Sequence, residues 1–196
     1  MSESTPRLAA DARREQVLEA AGRVFGERGY SAGTTDEVAR AAGISQAYVV
    51  RMFGSKENLY LEVTRRAADR IAQTFRDVAA RFDGTETPLT KQRYLGQAYG
   101  ELIADRSMLL TLQHLFTLGN DPVLGPVARD CFMLAYHVVR DEAGLSAEDT
   151  ATFFARGMLI NVLMGLELPQ HAADDVAADE LINCTFPPKG PPPEVG

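Results

Sequence analysis

Between Thr34 and Tyr60 the chain reads TTDEVARAAGISQAYVVRMFGSKENLY, and its caps and stops leave room for one arrangement of short helices. Thr34 is an N-cap residue. Glu37, three positions on, completes a capping box, in which each side chain takes up a backbone N–H that the first turn leaves free. Val38, Ala39 and Ala42 then share one face, and Gly43 suits the left-handed conformation that closes a helix. Ser45 caps a second helix, whose Val49 and Phe53 point inward; Gly54 ends it, and Ser55 caps a third. Two short helices joined by a glycine turn make a helix-turn-helix, the motif whose second helix enters a DNA major groove.

The same run resembles the DNA-binding domain of the TetR (tetracycline repressor) family of one-component regulators, whose usual pattern is roughly TTVxxIAxxAGVSxGxLYxHFxSKExL. Thr34, Val38, Ala39, Ala42, Gly43, Ile44, Ser45, Phe53, Ser55, Lys56, Glu57 and Leu59 stand in matching places. The F-x-S-K-E-x-L junction makes the match more specific than a bare helix-turn-helix. Departures from the pattern include Gly33 where threonine is common, Ala47 for the usual glycine, Val50 for tyrosine and Met52 for histidine. Val50 has no group to donate to a phosphate, so Tyr48 and Arg51 on the same helix are the substitute donors. The expected DNA-contacting set is Thr34, Thr35, Ser45, Gln46, Ala47, Tyr48, Arg51 and Lys56. Glutamine reads adenine, alanine meets a thymine methyl, and arginine takes guanine or phosphate. Lys56 begins a helix, where its charge and the free N–H groups suit a phosphate.

The net charge of −7 at first opposes a DNA partner. Its distribution answers the objection: residues 1–82 hold 13 Lys and Arg against 11 Asp and Glu, and residues 83–196 hold 7 against 16. Phosphate contacts need local positive charge and helix N-termini, not a basic whole. At 196 residues the chain can bury one sizeable core, or one core and a small satellite. It has no bilayer-length apolar run, no signal-peptide core, and two cysteines outside any C-x-x-C pair. A reduced, cytoplasmic protein without a membrane partner is the expectation.

Residues 1–8 read as a mobile arm, with Arg7, Arg13 and Arg14 near enough to touch a DNA backbone. A first helix spans about Ala9 to Glu27, with Gly29 ending it. From Lys56 to Phe82 a long amphipathic helix presents Tyr60, Ile71 and Phe75 on one stripe and arginines on the other. Five more helices follow, over about 89–105, 107–118, 122–143, 147–168 and 171–183, and a proline-rich, disordered tail from Pro187. The organisation is therefore all-α: residues 1–55 as a three-helix DNA-binding domain with the helix-turn-helix, 56–186 as a helical ligand-binding and dimerisation domain, and 187–196 as tail.

Phe75, Tyr99, Gln113, Phe116, Phe132 and Tyr136 mix aromatic and polar groups into apolar faces, the usual lining of a small-molecule cavity. The helix near 147–168 is apolar on almost every side. Phe153, Gly157, Asn161, Met164 and Gly165, with Leu181 from the following helix, are the expected dimer interface. No catalytic, metal-binding or cofactor motif is present in the sequence. Two readings follow. The resemblance implies a homodimeric regulator, a repressor bound to a palindromic operator and released by a small apolar or amphipathic effector, and no enzyme. The alternative is a helical ligand-binding or protein-interaction module with weakened or lost DNA binding, favoured by Val50 and the acidic balance.

Overall fold

A computed structural model of the chain describes residues 4–172 and 175–186, with side chains from residue 10 onward. All regular structure among these residues is helical. In order, the elements are α1 (Ser4–Ala32), α2 (Thr35–Ala41), α3 (Gln46–Phe53), α4 (Lys56–Ala79), α5 (Pro88–Leu102), α6 (Arg106–Phe116), α7 (Leu124–His137), a π-helical turn (Val138–Glu142), α8 (Ala147–Gly165), α9 (Leu168–His171) and α10 (Val176–Thr185).

Helix α1 starts earlier than its apolar periodicity predicts, so most of the expected arm is helical. The tail expected from Pro187 lies outside the described residues. At Gly29 α1 is broken by a residue at φ 70° and ψ 176°, a conformation a glycine adopts without the Cβ penalty. One further turn follows before the chain enters α2. Gly33, the departure from the threonine pattern, has a packing reason. A Cβ built there would lie 2.7 Å from Cδ1 of Phe25 and 3.0 Å from the Gly29 carbonyl. The ring of Phe25 occupies the space that a threonine would need.

Helix α4 belongs to both ends of the molecule. Its first turns complete the N-terminal core: Leu59 and Tyr60 are fully buried, and Tyr60 meets Phe25 edge-on at 5.1 Å and Tyr30 at 4.9 Å. Its later turns, through Ile71 and Phe75, enter the C-terminal bundle. Helix α6 is the second shared element and packs against α1, α4, α7 and α8. It approaches α1 very closely: a Cβ on Gly26 would fall 2.6 Å from the Ser107 carbonyl, and the Thr111 hydroxyl lies 3.2 Å from the carbonyl of Gly22. One continuous core runs from Val17 to Leu145, so the expected boundary at residue 55 falls within a shared core. The short α9, missed in the sequence, follows Glu167 at φ 55°.

Candidate nucleic-acid interface and inner cavity

The local chemistry of the helix-turn-helix matches its sequence. The Thr34 side chain accepts the Glu37 N–H at 3.2 Å, while the Glu37 carboxylate accepts the Thr34 N–H at 3.1 Å. Ser45 and Ser55 cap α3 and α4 by accepting the N–H groups of Tyr48 and Asn58. Gly43 takes φ 66° at the turn. Gln16 of α1 donates to the Ala42 carbonyl at 2.9 Å and so fastens the end of α2 to α1.

Burial of Val49 and Phe53 fixes the rotation of α3, which turns Gln46, Ala47, Val50 and Arg51 outward and leaves Tyr48 half-buried. Two of these groups are held before any partner arrives. The Gln46 amide donates to the Thr35 hydroxyl at 3.0 Å, and the Arg51 guanidinium lies over the Tyr48 ring at 4.7 Å. Thr34 and Ser45 are exposed at the helix starts, though their oxygens are engaged as caps. Val50 is 42% exposed and adds an apolar contact surface.

Lys56 is placed differently from its expected role. Its ammonium donates to the carbonyls of Tyr30 and Gly33 at 2.8 and 3.2 Å and sits over the Tyr30 ring at 4.6 Å. The free carbonyls at the end of α1 attract a cation as a phosphate would, and they lie within reach. Lys56 therefore ties α4 to α1 through these contacts. Arg14 is likewise engaged, with Glu62 at 2.5 Å and over the Phe53 ring at 4.5 Å. The Arg7 side chain lies outside the described residues.

Behind this module, between α4, α5, α6, α7 and α8, lies a cavity of about 290 Å³. Of the residues expected to line it, Phe75, Tyr99, Phe116 and Phe132 do so; Gln113 and Tyr136 do not. The Gln113 amide is drawn to the Asn161 carbonyl at 2.5 Å, and Tyr136 packs behind the wall against Phe154 at 5.7 Å. Phe153 and Phe154 complete a chain of ring contacts between 5.3 and 6.0 Å from Tyr99 round to Phe116. Tyr99 donates its hydroxyl to the Asn161 carboxamide oxygen at 2.7 Å, and burial pushes its phenol up to about 12. Burial also pushes the Cys131 thiol, in the same wall, up to about 11.

The expected dimer residues are divided. Phe153, Gly157 and Asn161 line the cavity. Met164 packs on the cluster of Ile103, Leu109 and Ile160, and Gly165 faces Gln113, whose Oε1 would lie 3.0 Å from an added Cβ. Only Leu181 lies on the outer side. Helix α8 is thus apolar all round for a different reason on each face: one face lines a cavity, and the other is bare. Leu159, Val162 and Leu166 recur along its outer stripe, the last two 50% and 65% exposed, and Val176 and Leu181 of α10 are exposed with them. The sequence could not separate these faces, because both are written in apolar residues.

These features define a class: a helix-turn-helix module towards the N-terminus, with a helical bundle behind it, all regular structure among the described residues being helical. Residues 17–63 match the family model for bacterial regulatory proteins, tetR family. Its segment is 44% identical over 70 residues to the HTH-type transcriptional activator FasR of Mycolicibacterium smegmatis, covering 36% of this chain and 32% of that protein. It is 34% identical over 93 residues to the HTH-type transcriptional repressor KstR2 of Mycobacterium tuberculosis, covering 47% and 45%. The matched segment thus spans from about a third to about half the length of these curated relatives. The whole fold resembles that of a TetR-like transcriptional regulator from Rhodococcus sp. RHA1, with a TM-score of 0.60 at 21% identity over 88% of this chain and 93% of that one. No helix among the described residues is long and apolar enough to cross a membrane.

Proposed function

We propose that this chain is a ligand-responsive transcriptional regulator of the cytoplasm. It acts as a homodimeric repressor that binds a palindromic operator and leaves it when a small apolar or amphipathic effector fills the cavity. The observation that carries this reading is the sharing of α4 and α6. Phe75, Leu112 and Phe116 of these helices line the cavity, while Tyr60 and Thr111 on the same two helices contact α1 and the core of the DNA-binding module. A ligand that prefers one placement of α6 therefore also selects one placement of α1, and such a preference is what couples two sites.

The bare stripe of α8 and α10 supports a two-fold interface in which each copy covers the other's Val162, Leu166 and Val176. Two recognition helices would then meet successive major-groove faces, about 34–36 Å apart or a multiple of that. The reading of a module without DNA binding draws on Val50 and on the engagement of Lys56 within the protein. Retardation of duplex DNA carrying an inverted repeat, at two salt concentrations and with or without an apolar ligand, decides between them. The regulator predicts salt-sensitive, specific binding that ligand weakens. Ligand binding without any DNA binding leaves the second reading.

A further inference from the structure

The polar groups of the cavity are one-sided. Among the described residues its wall carries Arg93 of α5 and Arg156 of α8, and no aspartate or glutamate. Arg156 gives its Nε and Nη2 to the carbonyls of Thr185 and Cys184 at 3.0 and 3.2 Å, so among the described residues it meets dipoles but no neutralising carboxylate. Arg93 lies 5.6 Å from the Tyr94 ring, and no ion pair among the described residues includes it.

Deeper in the wall Asn161 is only 6% exposed. Its carboxamide oxygen takes the Tyr99 hydroxyl and its backbone carbonyl takes Gln113, but its amide nitrogen has the Met158 sulfur at 3.8 Å as its partner. A thioether is a weak acceptor, so this buried amide is a donor still available to an oxygen. Helices α5 and α8 run side by side in the same sense, Gln92 reaching Asp149, Gly96 facing Phe153 and Tyr99 bonding Asn161. Both arginines therefore precede the Tyr99–Asn161 pair along one wall. The rings of Phe75, Phe116, Phe132 and Phe154 line the same cavity.

We propose that the cavity is built for an apolar carboxylate, its hydrocarbon body among the phenyl rings and its charge held by Arg93 and Arg156. This rests on the reading of the cavity as an effector site. An anion in a largely apolar space is unfavourable unless it is paired and hydrogen-bonded. Here the cations are supplied, and Asn161 offers a further donor. A cationic ligand would meet two like charges and, among the described lining residues, no carboxylate.

The test uses the full chain and three matched probes kept below their micelle concentrations: decanoate, methyl decanoate and decyltrimethylammonium. Naphthoate and methyl naphthoate form an aromatic series that distinguishes a planar body from an extended one. Calorimetry should give a carboxylate affinity at least about tenfold above that of the matching ester, the scale of one charge-assisted hydrogen bond, and no binding of the ammonium. Arg93→Gln should cost the carboxylate about tenfold and leave ester binding unchanged. Because Arg93 is exposed, the melting temperature of the unliganded variant should be that of the wild type. Bound carboxylate should also shield Cys131 from alkylation. An ester that binds as well as its acid, or an ammonium that binds better, overturns the carboxylate assignment and leaves a sensor of another chemistry. Failure of all five probes to bind overturns both the assignment and the sensor reading on which it rests.

Discussion

Around α2 and α3 the polar side chains that set the geometry are paired within the module: Thr34 with Glu37, Gln46 with Thr35, Lys56 with the end of α1, and Gln16 with the end of α2. Around α5 and α8 the packing is looser and the donors are less completely used. Aromatic rings border open volume, Asn161 keeps an amide nitrogen on a sulfur, and Arg93 has no acidic partner among the described residues. The first arrangement holds a surface in a fixed shape, so that base contacts do not first have to organise it. The second leaves space and hydrogen-bonding capacity that a ligand would fill. Under the proposed function, shape is fixed where DNA would be read and left adjustable where an effector would be sensed.

The sharpest way to break this comparison is to truncate an equivalent ring in each region. Phe25 is fully buried against Tyr60. Phe25→Ala should cost about 3–5 kcal/mol by loss of packing and creation of a cavity, seen as a large fall in the denaturation midpoint. Phe153 already borders open volume, and Phe153→Ala should cost about 1–2 kcal/mol. Equal losses would mean that the two regions are packed alike.

Next in size is the contact that joins them. Gly26→Ala places a methyl against the Ser107 carbonyl, at a position where the built Cβ lies 2.6 Å away. Separating α1 from α6 should cost about 1–3 kcal/mol and weaken the effect of ligand on DNA affinity. A variant of wild-type stability and full ligand response would exclude α6 as the link.

A smaller effect distinguishes the two roles of Lys56. If its ammonium only ties α4 to α1, Lys56→Ala lowers stability by about 1 kcal/mol and leaves the salt dependence of DNA binding unchanged. If it also meets a phosphate, the slope of log affinity against log salt falls by about 1. The smallest effect is chemical. Cys184 is exposed, whereas Cys131 is buried with its thiol pushed up to about 11. At pH 8 Cys131 stays protonated, so iodoacetamide should label Cys184 well before it. Equal labelling rates, followed by peptide mapping, would show that the cavity wall opens freely.

How far the fold could be read from the sequence followed the same division. Caps and glycines act over three or four residues, so Thr34, Gly43, Ser45 and Ser55 marked their helix ends directly. The orientation of α8 depends on partners far along the chain. Phe153 and Asn161 were expected at a subunit interface, and they face the cavity, where Tyr99 and Gln113 of α5 and α6 bond to Asn161 and Phe75 of α4 meets the Phe153 ring. A local signal did exist: Arg156 lies within an otherwise apolar run, which marks where α8 meets something polar. Lys56 shows the limit in the other region. Its place at the start of α4 was legible, but the end of α1 that its ammonium meets is 23 to 26 residues away.

The central claim is that the outer edge of α3 reads a specific DNA sequence. The direct test is selection of the full chain against a randomised duplex pool, run in parallel with Tyr48→Ala. The account predicts that the wild type enriches an inverted repeat and that the variant loses about 1–3 kcal/mol of affinity for it, while both keep the same weak binding to unselected DNA. A wild-type pool with no enriched sequence, or a Tyr48→Ala pool enriched equally in the same repeat, would contradict it.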